Sequence, residues 1–483
     1  MFEGQLSMPK YLDIANQLRD QILSGQLIVG SRLPSIREAS ARYDAGINTI
    51  RRVYEQLEDW RLVNVKPKSG YFVSQARLHT KEPPTSEPSS GKACVVRTSI
   101  PVRLNASVSN GPKPTLGPAV QSPELMPMTE INKLITKTSK HYPERCHSYA
   151  APPGSPELRQ TIAARMSEIG VRVTAEEIII TSGAKEAVYL SIKAAAPPGS
   201  IVVVESPAYY ALLEVLSSLH LKAIEVASDA VSGLNLEQLE HTLSKYDVAA
   251  VALCSNYSNP LGYTMSDDKK KALYEIIQRH DVMLIEDDVY GDLCFCPPRP
   301  KAIKSFDEEG RVLYCGSFSK TISPGLRLGW AIAGKLAERV ELLKLVVNQT
   351  TAMLPQLVVA DFLASGAYDR HLRSIRSRLA QQCSDAIQSI EKHFPESVKI
   401  SAPTGGHVLW IELPKEVDAM DLYEQALEYE IQIAPGPIFS ATGGFRNYMR
   451  INTGFPWTAE LDKQVQILAE LIENQCHPVL NTE

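Results

Sequence analysis

The chain has 483 residues, of which 44% are hydrophobic and 22% charged, with a formal net charge of −5. That length predicts two or more domains and a sizeable core, the composition fits an ordinary soluble protein, and the acidic balance excludes a chain that coats nucleic acid along its whole length. No apolar run reaches the roughly 18 residues that a membrane helix needs, and the opening MFEGQLSMPKY lacks the apolar centre of a secretory signal. These features predict a cytoplasmic protein without membrane contact. The eight cysteines are scattered without a CxxC pair, so we expect incidental thiols and no metal site.

Charge is unevenly distributed: residues 1–80 carry a balance of +3 and the remainder one of −8. Tyr11, Ile14, Ala15, Leu18 and Ile22 form a helical stripe ended by Gly25. Ser35 and Glu38 have the spacing of a capping box, which predicts a second helix after Pro34. A third helix is expected after Asn48, with Ile50, Val53, Tyr54, Leu57 and Trp60 on its buried face and Thr49, Arg51 and Arg52 outside it. Leu62–Val65 and Tyr71–Val73, separated by a turn over Lys66–Gly70, read as a two-stranded ribbon. Three helices followed by a ribbon predict a winged helix-turn-helix over residues 1–75. Arg37, Asn48, Thr49, Arg51, Arg52, Lys68 and Gly70 are its candidate contacts with double-stranded DNA; the plainer reading is a small helical domain with solvated arginines.

Residues 76–114 are Pro/Ser-rich and without periodicity, and read as an exposed linker. From 115 to 483 the pattern changes to strand–helix alternation. Glu177–Thr181, Ile201–Glu205, Val248–Ser255, Val282–Asp288 and Arg311–Ser317 are short apolar runs, and residues 184–196 and 266–280 have helical period. This predicts an α/β domain with a mainly parallel sheet. Its polar motifs fall just beyond the C-terminal ends of the strands, where open sheets of this kind bind ligands.

Those motifs supply complementary groups. Ser317-Phe318-Ser319-Lys320 offers an amine that burial or a neighbouring cation could render nucleophilic. Asp287, at a strand end, offers a carboxylate able to keep a pyridine nitrogen protonated. Tyr290 and Asn259 could both bond a phenolic oxygen, and Tyr209 could stack on an aromatic ring. Ser182-Gly183-Ala184 opens a helix whose N–H groups suit a phosphate, with Ser317 and the guanidinium of Arg327 beside it. Taken singly, each is commonplace: a surface lysine, a solvated acid, an Asn-Pro turn. Taken together they are the groups that hold pyridoxal 5′-phosphate.

The residues also carry family resemblances. Leu33-Pro34-Ser35-Ile36-Arg37-Glu38, Asn48 to Leu57 and Pro67 to Val73 resemble the GntR family of bacterial regulators, although Ile47 stands where that family usually carries arginine and Trp60-Arg61 replaces a usual glycine. Residues from about 115 to 475 resemble fold-type I aminotransferases. That resemblance implies contacts to pyridoxal phosphate at Ser182, Gly183, Ala184, Tyr209, Asn259, Asp287, Tyr290, Ser317, Lys320 and Arg327. It also implies a phosphate contact from Tyr149 across a dimer interface and a substrate-carboxylate clamp at Arg450. The whole chain resembles the MocR (GabR-like) regulators. This implies a homodimer that binds DNA and senses pyridoxal phosphate or its adduct with an amino acid. The competing readings are a working aminotransferase with an N-terminal appendage and, more remotely, a lyase or decarboxylase on the same fold.

Overall fold

A computed structural model of the chain describes residues 10–23, 26–27, 31–59, 62–66, 70–73, 81–87, 89, 91–96 and 114–477. They form two compact units, divided between Thr80 and Lys81.

In the first unit, helices α1 (Lys10–Leu23), α2 (Ile36–Arg42) and α3 (Ile47–Asp59) precede an antiparallel ribbon of β1 (Val63–Lys66) and β2 (Gly70–Val73). Ile14, Ala15, Leu18 and Ile22 of α1 meet Ile50, Val53, Tyr54 and Leu57 of α3 in the core, as their helical spacing predicts. The capping box forms in full: the Glu38 amide donates to the Ser35 hydroxyl at 3.3 Å, and the Ser35 amide donates to the Glu38 carboxylate at 2.7 Å. Helix α3 starts earlier than expected. The Ile50 amide bonds the Gly46 carbonyl at 3.0 Å, so Gly46 precedes the first turn and Asn48 lies inside the helix rather than capping it. Ribbon pairing joins Lys66 to Gly70, one residue further out than the sequence suggests at each strand. Trp60 and Lys68 lie outside the described residues.

In the second unit, residues 81–96 correct the reading of an exposed linker. Lys81 donates to the Pro395 carbonyl at 2.8 Å, the Thr85 amide to the Glu412 carboxylate at 2.6 Å, and the Phe445 amide to the Glu87 carboxylate at 2.8 Å. Short strand β3 (Cys94–Val95) then joins a sheet edge. A polar stretch without periodicity gives no sign in sequence that Lys81, Thr85 and Glu87 are each bonded to distant residues.

The large sheet is built from β3, β4 (Ile178–Thr181), β5 (Ile201–Ser206), β6 (Lys222–Asp229), β7 (Gly233–Leu234), β8 (Val248–Leu253), β9 (Met283–Asp287), β10 (Val312–Ser317) and β11 (Gly329–Ile332). Its order is β3-β6-β5-β8-β9-β10-β11-β4, with β7 paired to β6. The central pairs are parallel, whereas β3, β7, β11 and β4 pair antiparallel. The central strands are almost wholly buried, which explains their unbroken apolar runs: both faces of the sheet are covered. A smaller antiparallel sheet follows, made of β12 (Lys399–Ile400), β13 (Val408–Glu412), β14 (Ala434–Pro435) and β15 (Tyr448–Asn452), ordered β12-β13-β15-β14. The long helix Ala367–His393 leads into it.

Ser35→Ala removes one half of the capping box and should destabilise the first unit by about 1 kcal/mol. Chemical denaturation of the full chain, followed by a probe in that unit, should show its transition moving to lower denaturant while the second unit's transition stays in place.

Candidate functional site

The candidate site lies beyond the C-terminal ends of the parallel strands, in a cavity of about 260 Å³. Three consecutive acids end β9, and the alternation of the strand sends them to different partners. Glu286 is fully buried and accepts from the Ser255 hydroxyl at 2.6 Å and from the amides of Ile303 and Lys304. Asp288 is bound by Arg299 at 2.6 Å, the Tyr314 hydroxyl at 2.9 Å and the Asn256 amide at 3.0 Å. Asp287, between them, lines the cavity, and its Oδ1 is buried without a partner among the described residues. Burial, reinforced by the Asp288 charge, pushes its carboxyl up to about 7. A buried carboxylate oxygen left free at a cavity wall fits a cationic N–H donor.

Tyr290 and Asn259 line the same cavity, and the Asn259 amide donates to the Tyr290 hydroxyl at 3.4 Å. Tyr209 forms another wall, its ring centroid 4.9 Å from that of Tyr210. The helix Ala184–Ala195 starts at Gly183, whose φ of 104° favours glycine. A side chain there would also strike the Arg327 guanidinium at 2.8 Å. Arg327 donates to the Ser182 carbonyl at 2.9 Å, which sets its guanidinium beside the turn. Gly329 completes this corner: a Cβ on it would lie 2.6 Å from the Gly183 backbone, so glycine lets β11 pass against the turn before the helix. The Ser317 hydroxyl bonds Ser319 at 2.8 Å and the Leu328 carbonyl at 3.1 Å. Lys185 is exposed and pairs with Glu214 at 2.6 Å.

Lys320 reaches the cavity from the turn after β10, and its Nζ donates to the Ala119 carbonyl at 2.6 Å. Burial, with the positive Arg450 beside it, lowers its ammonium to about 8. Arg450, the expected carboxylate clamp, lies on β15, fully buried and already engaged. One Nη donates to the Asn259 carbonyl oxygen at 3.1 Å and the other to the Gly117 carbonyl, while Nε has no partner among the described residues. The strap carrying the Gly117 and Ala119 carbonyls, residues 115–120, is pinned by Asn452, whose side-chain amide bonds the carbonyls of Thr115 at 3.1 Å and Val120 at 2.9 Å. Both cations were legible in sequence; the strap that occupies them was not, because backbone carbonyls carry no residue signature. His407 was also missed. Its Nδ1 faces the Asn452 carbonyl oxygen at 3.0 Å and its ring meets Tyr290 edge-on. Burial, with Lys320 adding repulsion, lowers its pKa to about 3, so the ring is neutral.

The structure thus gathers Ala184, Tyr209, Asn259, Asp287, Tyr290, Ser317, Lys320 and Arg327 around one cavity, with Ser182 and Gly183 at the turn beside Arg327. Tyr149 is not among the lining residues and is 80% exposed. In the first unit, Arg37, Asn48, Arg51 and Arg52 are exposed and Thr49 half-buried. Arg52 is nevertheless engaged, its guanidinium 5.1 Å above the Tyr11 ring. Gly70 has φ of 105°, and a Cβ there would press on the Arg32 guanidinium at 3.2 Å. Among the described residues no helix is long and apolar enough to cross a membrane.

Residues 126–466 match the family "Aminotransferase class I and II", and residues 10–73 match "Bacterial regulatory proteins, gntR family". A protein of Escherichia coli K12, the uncharacterized HTH-type transcriptional regulator YdcR, is 37% identical over 97% of this chain and 100% of its own length. The HTH-type transcriptional regulator NorG of Staphylococcus aureus is 27% identical over 85% of this chain and 93% of its own. Among solved structures, Pyrococcus horikoshii kynurenine aminotransferase superposes with a TM-score of 0.73 at 29% identity, covering 78% of this chain and 95% of that one. With both units matched and end-to-end likeness to a regulator of the same length, the chain belongs to the MocR-type regulators, in which a GntR helix-turn-helix unit and an aminotransferase class I and II domain share one polypeptide.

Proposed function

We propose that the chain is a cytoplasmic transcription regulator that binds double-stranded DNA through its first unit and holds pyridoxal 5′-phosphate in the second as the sensing group for an amino-acid-like effector. The observation that supports this most is the pairing, in one polypeptide, of a folded helix-turn-helix with an exposed third-helix face and a cavity fitted to that cofactor. Asp287 Oδ1 would take the pyridine N–H, Tyr209 the ring face, Tyr290 and Asn259 the phenolic oxygen, and Ser182, Gly183, Ala184, Ser317 and Arg327 the phosphate. When bound, the cofactor would supply an aldehyde carbon and an electron-withdrawing ring, and Lys320 would supply the amine beside it. Arg450 would bind the effector carboxylate. Because its Nη groups already serve Asn259 and Gly117, an arriving carboxylate takes the unpartnered Nε and competes with the Gly117 carbonyl, so occupancy of the site is felt by the strap.

The rival reading is a working aminotransferase, favoured by the same site residues and by relatives named aminotransferases. Those relatives match 75% of the chain and do not account for the helix-turn-helix. Ligand-driven regulation requires only that the effector favour one arrangement of the chain over another.

An amine bonds an aldehyde only as the free base. With Lys320 lowered to about 8, uptake of pyridoxal phosphate by cofactor-free chain should accelerate as pH rises through about 8 and then level off. Stopped-flow absorbance checks this; Lys320→Ala should take up no borohydride-trapped label, and wild type that never acquires visible absorption refutes the reading. Leu342, Leu345 and Val346 are exposed on one face of the helix Ala337–Asn348, Val346 at 76%, and we assign that apolar face, with Tyr149, to a homodimer interface. Val346→Glu should convert a sedimenting dimer to monomer, whereas a wild-type monomer removes the assignment. Gel shifts on the gene's upstream DNA should weaken with Arg37→Ala and Arg51→Ala. They should also fall with salt by about 0.9 log units per log unit for each phosphate neutralised; equal binding by all three proteins favours the enzyme reading.

A further inference from the structure

We propose that the second unit carries a further binding site, for a small apolar carboxylate, behind the cofactor cavity. A second cavity, of about 370 Å³, opens between the helix Pro156–Glu168, the first half of the long helix Ala367–His393 and the ends of β10 and β11. This falls within the ~300–1,000 Å³ typical of small-molecule pockets. Val289 and Ser317 line both cavities, so the two share a wall.

The charges around this second cavity are mostly spoken for. Arg299 bonds Asp288 at 2.6 Å and Asp292 at 2.7 Å, and Asp292 also accepts from the Tyr368 hydroxyl at 2.9 Å. Arg165 pairs with Asp369 at 2.9 Å. Among the lining residues this leaves Arg373 and Arg376, one turn apart on the long helix, against one exposed acid, Glu168. Arg376 hydrogen-bonds the Asp292 carbonyl through Nε at 2.7 Å, leaving its Nη groups without a hydrogen bond while its charge acts on the Asp292 carboxylate, and Arg373 has no partner among the described residues. Trp330 also lines the cavity; it is 8% exposed, and its indole N–H is buried without an acceptor. A buried N–H without an acceptor is costly. The cavity therefore offers N–H donors in excess of acceptors, over an apolar lining that includes Met166, Phe318 and Leu372.

Those requirements define the ligand class. An aryl or branched-alkyl group matches the apolar lining, and a carboxylate supplies oxygens for the free guanidiniums and for the indole N–H. A cation has no lone pair for the unbonded N–H groups of Arg373, Arg376 and Trp330, and a plain hydrocarbon would leave Trp330 unpaired. Nothing in this assignment depends on what the cofactor cavity holds.

The test is calorimetry on the full chain with phenylacetate as probe and uncharged phenylacetamide as control. Phenylacetate should bind at millimolar concentration or better, and phenylacetamide about tenfold or more weakly, as loss of a charge-assisted hydrogen bond implies. Arg376→Gln should weaken phenylacetate about tenfold, and Trp330→Phe, which keeps a ring but removes the donor, should weaken it severalfold. Arg373→Gln, at an exposed and unpartnered position, provides the same test without touching a packed contact. Lys320→Ala should leave binding intact. Absence of phenylacetate binding, equal binding of acid and amide, or unchanged binding in both arginine variants overturns the proposal. Loss of binding in Lys320→Ala also overturns it, because the probe would then be in the cofactor cavity.

Discussion

Three adjacent carboxylates at the end of one buried strand set the terms for the rest of the second unit. Side by side in low dielectric they would repel strongly, so each needs a compensating environment. Glu286 obtains it from a hydroxyl and two backbone amides, and Asp288 from Arg299, Tyr314 and Asn256. These contacts draw the loop after β9, the neighbouring strand β10 and the Asn256 turn together. Only Asp287 is left with an unfilled oxygen. The free oxygen at the cavity wall is therefore a consequence of how the two flanking acids are engaged, not of Asp287 alone.

The positive side of the site obeys a parallel rule. Burial, and after it the neighbouring Arg450 guanidinium, weakens the hold of Lys320 on its proton. The chain answers with backbone carbonyls from the strap, which offer partial negative charge without adding another titrating group. Asn452 holds the strap, and its carbonyl oxygen orients His407 with the proton on Nδ1. Since Asn452 donates to two carbonyls, its amide orientation is fixed, and with it the tautomer of a neutral histidine. Polar order here runs from the strap through Asn452 to the ring edge of Tyr290.

Much of this was readable from residues. The stripes of α1 and α3, the Ser35–Glu38 box and the parallel strands follow from periodicity and cap chemistry, which are local. Lys320, Asp287 and Arg327 were legible because their motifs fall at strand ends in a fixed order. What stayed hidden depends on non-local partners. Gly46 rather than Asn48 precedes α3 because a backbone carbonyl, not a side chain, accepts its first bond. Glu87 looked like solvated linker until the Phe445 amide was placed beside it. Strands β12 and β14 are two residues each, too short for any periodicity. Arg450 was recognisable as a site cation, but its engagement with Gly117 joins positions far apart in the chain.

That separation has a consequence for how the chain is made. Gly117 precedes Arg450 by 333 residues and Ala119 precedes Lys320 by 201. During synthesis the strap emerges early and waits, with its carbonyls in water, until Lys320 and then Arg450 emerge to seat it. The first unit has no such wait, because its helices and ribbon pair within residues 10–73. Non-local pairings close slowly and local ones quickly. The helix-turn-helix unit can thus close early in synthesis, whereas the second unit stays an open sheet until its C-terminal strands arrive.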